Sequence, residues 1–414
     1  MISQIRPELP KLRVPICILI DDWTVGDVWQ EDKDFQRSWK FINDLADLVE
    51  RYGVRGKISF VPYLSTYKSP DPYPLGRIDR GIKGLSPKRL EEFIRVVRER
   101  LVPAFDITPE VLTHTQALDL KTERLLPESE WSWSNWQSEE VLAEYIARGL
   151  EILKAVGIVA NGVTSGCDFG REVEGLYVRA MLSAQKEVND VSLTWYFLHE
   201  EPERRRWSVN PSVMYLDGEK GEAVVSIVSG CREYFFFESR GWDSATPERV
   251  SEATDKYLTA DGRAGRMAEL LADRSCIVFH SHFQRLYGPE DRYGFMILEE
   301  LLRRIDRVFG DRVMWTTPSE LARYWATIKA YEVQVEQSEG RVTLRFSSPF
   351  ACPDFTVKVV LSERLGISRI TADGGELSEV TSDSILVPNS WTQKDEEVFI
   401  CFDLRKEGRV EIEF

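Results

Sequence analysis

Short apolar runs alternate with longer amphipathic stretches through the first two-thirds of the chain. The runs at 15–20, 57–62, 110–113, 162–164, 192–198, 223–229, 276–279 and 313–315 read as strands. Several are apolar without alternation, the pattern of parallel strands buried on both faces. Between them, apolar residues recur at helical spacing over about 35–52, 87–103, 138–156, 173–188, 247–272 and 293–309, and again from Pro318. Gly53 and Gly157 stand at two helix ends, Pro87 in a first turn, and Ser138 at a cap position. Repeated strand–helix order predicts a mainly parallel sheet, closed or nearly closed into a barrel.

The pattern changes near residue 330. Segments 333–336 and 342–346 alternate about a Glu339-Gly340 turn, which predicts a hairpin. Runs at 355–361, 367–371, 384–387, 398–402 and 410–414 continue in the same style. The expected architecture is therefore α/β: residues 1–329 form a (β/α) barrel, with room for an incomplete or distorted one, and residues 330–414 form an antiparallel β-sandwich.

A net charge of −15 argues against nucleic acid or an anionic membrane as the main partner. Six cysteines without a CxxC spacing, three of them (Cys17, Cys276, Cys401) inside apolar runs, read as buried thiols in a reducing compartment. No run reaches membrane-spanning length, so the expected location is the cytoplasm. Oligomeric state is not readable.

Candidate chemistry sits where strands stop. The first ends on Asp21-Asp22, a later one on His280-Ser281-His282, and a third on His114. Carboxylates and imidazoles are costly to bury without partners. At the C-terminal ends of parallel strands they would share the mouth of a barrel, where such folds keep their reactive groups. Asp and His side chains from three strand ends can hold a zinc-like divalent ion with a water position open. Adjacent residues of a regular strand face opposite sides, so only one of Asp21 and Asp22 is expected to reach the ion. Trp23, Trp29, Trp131, Trp133, Trp136 and Trp195 lie in or near strand-end loops and offer flat apolar faces to a sugar ring. Trp23, Trp133 and Trp195 are the named substrate-binding candidates, with Asp168. His199, in a charged stretch, reads as a surface residue.

This order of motifs resembles the polysaccharide deacetylase family, the NodB-homology domain, over about residues 13–328. Ile20-Asp21-Asp22 matches its first motif, and Ile58-Ser59-Phe60-Val61-Pro62 its second strand. His114-Thr115 begins its His-Ser/Thr-x-x-His motif, where Leu118 replaces the second His. Gly166-Cys167-Asp168-Phe169-Gly170 stands where the family carries an Arg-Pro-Pro turn. Val278-Phe279-His280 matches the late Leu-x-His motif, and the helix entry 316–321 has the family's style. The resemblance implies a deacetylase-like barrel that removes an acyl group from an N-acylated sugar or related small amide, with a small molecule or oligosaccharide as substrate. It implies Asp21 as base, Asp22 and His114 as ligands of a divalent metal of the zinc type, and His280 as acid. With Leu118 unable to ligate, His282 is the favoured third ligand and Asp168 the second. Two alternatives stay open: a metal-free glycoside hydrolase pairing Asp21 or Asp22 with Asp168, and a non-catalytic carbohydrate-binding protein.

Overall fold

A computed structural model describes residues 2–26, 35–65, 71–200, 209–233, 239, 241–288, 291–381 and 385–414. Four parallel strands lie in the order Ile277–His282, Val14–Trp23, Gly56–Phe60, Phe105–Pro109, and Val313–Trp315 also pairs with Val14–Trp23. A second sheet runs Gly162–Thr164, Leu193–Glu200, Glu222–Ser229, with Ser212–Asp217 antiparallel at its edge. The two sheets meet along two seams, each marked by one isolated parallel bridge: Glu110 to Thr164, and Cys231 to Phe279. Among the described residues no continuous ladder closes the ring. In place of the expected closed barrel there is a parallel sheet and a mainly parallel one, joined by single bridges.

Strand alternation sorts the side chains. Ile16, Ile18, Ile20, Ile58 and Phe60 pack outward with the helices. Cys17, Leu19, Trp195, Phe197, Val225 and Val278 belong to a second core that continues through Leu321, Tyr324 and Trp325 into the C-terminal sheets. The helix Pro318–Ala330 makes this link. Its start is fixed by a capping box: the Thr317 hydroxyl accepts from the Glu320 N–H, and the Glu320 carboxylate accepts from the Thr317 N–H. Asp106, near the N-terminal end of its strand, accepts from the Ser319 N–H at 2.7 Å.

Helices Gln36–Tyr52, Glu139–Ala155, Glu174–Asn189 and Tyr293–Val308 fall where the periodicity places them. Three expectations change. The third core strand is Phe105–Pro109 rather than 110–113, so Glu110 ends the strand and His114 lies beyond it. The helical stretch 247–272 is two helices, Pro247–Asp255 and Arg266–Ala272, separated near Gly262 and Gly265, both at positive φ. Residues 116–119 and 124–129 form a hairpin that the insertion's sequence does not announce.

Two five-stranded sheets make up the C-terminal part. The expected hairpin is Glu332–Ser338 with Arg341–Ser347. Residues 385–387 form no strand, Ser384 lies outside the described residues, and Ser390–Lys394 takes the ladder position instead. The strand Ile2–Pro7 pairs antiparallel with Cys352–Leu361, so these residues sit in the C-terminal sheet and not with the 1–329 segment that contains them. No helix among the described residues is long and apolar enough to cross a membrane.

Burial, opposed by the Ser319 N–H, pushes the Asp106 carboxyl up to about 6. Its pKa is therefore raised on folding. The associated stability is full below the unfolded value and is lost as pH rises through about 6. Asp106 keeps partial solvent access, which trims the effect to about 1–2 kcal/mol. Asp106→Asn should gain that much over the parent between pH 4 and pH 8 in urea unfolding. Parallel pH profiles would show that the carboxyl is not strained.

Candidate functional site

All five strand-end candidates, Asp21, Asp22, His114, His280 and His282, line one open pocket of about 480 Å³ at the C-terminal ends of the core strands. Asp21 continues the inward alternation of Cys17 and Leu19. Asp22 then adopts φ 63°, and the ladder to Gly56–Phe60 shifts register between Ile20 and Trp23. This bulge defeats the expectation that neighbouring carboxylates diverge, because it turns both into the same pocket. A short polar side chain tolerates the left-handed backbone that this requires.

Asp21 is paired on both oxygens. Its Oδ1 meets the Lys57 ammonium and lies 3.3 Å from the Ser59 hydroxyl, and its Oδ2 is 3.2 Å from His280 Nε2. Burial alone would raise this carboxyl, but Lys57 and then His280 outweigh it and hold Asp21 well below the usual carboxylate range. His280 Nδ1 in turn sits 2.5 Å from Glu200, which also pairs with Arg232 at 2.7 Å. Burial works to lower the His280 pKa, yet Asp21 and Glu200 raise it overall. The result is a carboxylate–imidazole–carboxylate row, with the imidazole ring 4.8 Å from Phe197.

A second group lies beside it. Asp22 Oδ1 is 2.8 Å from His114 Nε2, and His114 Nδ1 is 3.2 Å from Glu110 Oε1. Glu110 Oε2 accepts from the Asp22 N–H at 2.7 Å and from the Ser59 hydroxyl at 2.5 Å. Asp22, Glu110 and His114 each bring a ligand atom to within 4.8 Å of the others, and all three are buried. Burial, partly offset by His114, pushes Glu110 up to about 7. Burial also acts to raise Asp22, but His114 overrides it and holds the group far below its ordinary value. Gly166 closes over this cluster: a Cβ there would come 2.3 Å from His114 Nδ1.

His114 is itself held by Glu130. That buried carboxylate accepts from the N–H groups of Leu112, Thr113 and His114 and from the Tyr145 hydroxyl, at 2.7–3.1 Å. The clamp fixes His114 at φ 57°. Leu118 falls within the hairpin strand Gln116–Asp119, packs in the outer core, and donates its N–H to Tyr145. Residues i and i+4 come side by side only on a helix, whereas along an extended segment they are held far apart. On this strand a His in place of Leu118 would enter the apolar core.

His282 shares the pocket but not the group of converging donors. Its Nδ1 is 2.5 Å from Glu233 Oε1, and Glu233 Oε2 accepts from both the His282 N–H and the Ser281 hydroxyl. Desolvation opposes the charge, yet Glu233 and then Asp22 lift the ring to about 10. Asp168 lines the pocket but is largely exposed and ion-paired with Arg171 at 2.6 Å.

The tryptophan expectation is corrected. Trp23 is fully buried against Phe41, Phe60 and Phe93. Trp195 is fully buried in the inner core and donates to the Ser319 hydroxyl at 2.9 Å. Trp133 is half-buried against Tyr145 and Phe169. None of the three lines the pocket. Trp136 is exposed and Trp29 lies outside the described residues. His199, expected at the surface, is half-buried and 2.7 Å from Glu174.

Sequence reasoning missed Lys57, Ser59, Glu110, Glu130, Glu200 and Glu233. A signal existed for two: Lys57 and Ser59 alternate with Ile58 and Phe60, so one face of a buried strand is polar. Lys57 is wholly buried, with Asp21 against its ammonium and the Phe197 ring 5.0 Å away. Lys57→Met should cost about 3–5 kcal/mol by removing the ammonium that compensates the buried Asp21 carboxylate. Adding Asp21→Asn should return part of that loss. A urea-unfolding cycle reads the coupling, and additive effects would mean that the pair contributes nothing.

No family model matches this sequence, and no curated protein matches it. Among solved structures, a 4-alpha-glucanotransferase from Thermococcus litoralis aligns with TM-score 0.41 and 10% identity, over 75% of this chain and 40% of its own. This chain therefore spans well under half the length of that enzyme. A Parabacteroides distasonis protein described as a glycoside hydrolase/deacetylase aligns with TM-score 0.37 and 10% identity, over 85% of this chain and 83% of its own. An exo-beta-1,4-mannosidase from an Opitutaceae bacterium aligns with TM-score 0.36 and 12% identity, over 72% and 60%. Similarity at this level lends no residue role to this chain.

Proposed function

We propose that the protein is a metal-dependent hydrolase that removes an acyl group from an N-acylated sugar or a related small amide. The carrying observation is the juxtaposition of two groups in one pocket. Asp22, Glu110 and His114 are three converging buried donors. Asp21 and His280 are an acid–base pair in direct contact. The donor set fits a divalent ion of the zinc type: one imidazole and two carboxylates, with pocket space left for water.

The chemistry supplied by a bound ion would be polarisation of the amide carbonyl and a lowered pKa of water. The chain's own residues do the rest. Asp21, kept ionised by Lys57, accepts the proton of the attacking water through Oδ2. His280, kept protonated between Asp21 and Glu200, delivers a proton to the leaving amine. Ser59 bridges the two groups and fixes the Asp21 and Glu110 carboxyls relative to each other. His282, protonated on Glu233, stands ready as a donor to a substrate oxygen.

A second reading has its own support. Glu110 is pushed up to about 7 while its neighbour Asp22 is held far below the usual range. Two adjacent carboxyls titrating in opposite directions also suit a metal-free glycoside hydrolase.

Acetate release from N-acetylated oligosaccharides, measured with zinc and with a chelator, separates the two. Asp21→Asn should lose activity by at least about 100-fold while binding metal as the parent does. Asp22→Asn and Glu110→Gln should each weaken metal binding about 10-fold or more, and His282→Ala much less. Chelator-resistant cleavage of aryl glycosides, without acetate release, would replace the deacylase reading with the glycosidase one.

A further inference from the structure

We infer that Gln284 is a positioning residue for the same ion: its side-chain amide ties one oxygen of Asp22 and so makes Asp22 a one-oxygen ligand. The inference rests on the reading that Asp22, Glu110 and His114 hold an ion, and it specifies how one of the three is aimed. Asp22 is constrained at three atoms. Its N–H donates to Glu110 Oε2 at 2.7 Å, and its Oδ1 lies 2.8 Å from His114 Nε2. Its Oδ2 accepts from the Gln284 amide Nε2 at 3.0 Å. The oxygen that faces His114 is therefore Oδ1, while Oδ2 is turned to a neutral donor from another strand end.

The chain anchors Gln284 for this role. It stands in the short helix Phe283–Leu286, directly after the strand that carries His280 and His282. Phe283 and Leu286 are fully buried on either side of it, and the Phe283 ring is 5.1 Å from Phe41, so the turn is fixed in the core. Gln284 lines the same pocket as Asp22. The orientation of its amide follows Asp22: the NH2 end meets the carboxylate, and the buried Oε1 has no hydrogen-bond partner among the described residues. A buried acceptor left unpaired costs free energy. The bond to an ionised carboxylate is the stronger kind and offsets that cost. A carboxylate can bind a metal through one oxygen or through both. Binding through both would take up coordination space that a catalytic ion keeps for water. An outer group bonded to a ligating carboxylate fixes that choice. A neutral amide suits the task, since a cation there would compete with the ion for the charge of Asp22.

Metal binding by the full-length protein tests this without reference to turnover. Gln284→Met keeps the length of the side chain and removes the donor, and Gln284→Leu does the same with a different shape. Each should bind zinc at least about tenfold more weakly in chelator competition. Thermal unfolding of the metal-free variants should stay close to that of the metal-free parent. Cobalt(II) should give the parent the strong visible absorption of a four-coordinate site, and the variants a weaker one as the released Oδ2 joins the coordination shell. In an Asp22→Asn background, Gln284→Met should change zinc affinity by less than about threefold, because its effect passes through Asp22. If the parent binds one zinc and both single variants bind it as tightly with the parent's cobalt spectrum, Gln284 only packs, and this inference fails while the metal reading stands. An undiminished loss in the Asp22→Asn background overturns it equally, since Gln284 would then act by another route. If neither ion binds the parent, the metal reading itself falls and this inference with it.

Discussion

A single buried ammonium governs the inward face of the core strands. Lys57 has no solvent exposure, and its pairing with Asp21 keeps a carboxylate charged inside the protein. Without that pairing, desolvation would drive Asp21 toward its neutral form and remove its capacity to accept a proton. The same charge orders its neighbours. Asp21 holds His280, His280 holds Glu200, and Glu200 holds Arg232. Each member is affordable in the interior only because the next one is present.

The two seams explain where this chemistry lies. A continuous ladder would occupy the backbone groups around Glu110 and Cys231. With single bridges there, the Glu110 side chain turns toward His114, and the His280 N–H reaches the Cys231 carbonyl. The pocket therefore opens where the two sheets part. The bulge at Asp22 and the left-handed His114 are local departures of the same kind, and each is fixed by a buried carboxylate: Glu110 on the Asp22 N–H and Glu130 on the His114 N–H. Backbone strain at these points is stable because the surrounding hydrogen bonds over-determine it.

Much of this was legible beforehand, for identifiable reasons. The core strands at 15–20 and 276–279 announce themselves because uniform apolarity stops abruptly on ionisable residues. Asp21, Asp22, His114, His280 and His282 do share a pocket. Glu110 gives no signal because the apolar run at 110–113 reads as the third strand, five residues late, which hides its position at the end of Phe105–Pro109. Glu200 and Glu233 lie in polar stretches where a solvated carboxylate is the default, and only their contacts to His280 and His282 distinguish them. The tryptophans misled because flat aromatic faces serve a core as well as a sugar: Trp23 and Trp195 fill space between strands and helices. Leu118, which replaces the second His of the resembled motif, lies in a hairpin strand and packs in the apolar core.

The strand Ile2–Pro7 has a consequence for how the chain reaches this structure. It aligns with Cys352–Leu361, so the first and last thirds of the polypeptide complete one sheet around everything between them. On a ribosome the partner strand Cys352–Leu361 emerges late, and until then the segment Ile2–Pro7 has no ladder to join. The parallel core can assemble early from neighbouring strand–helix units. Its lower surface, which Leu321 and Trp325 cover in the finished protein, must wait. The pairing of Ile2–Pro7 with Cys352–Leu361 is a long-range contact, and closing so long a loop carries an entropic cost that short-range strand–helix units do not have.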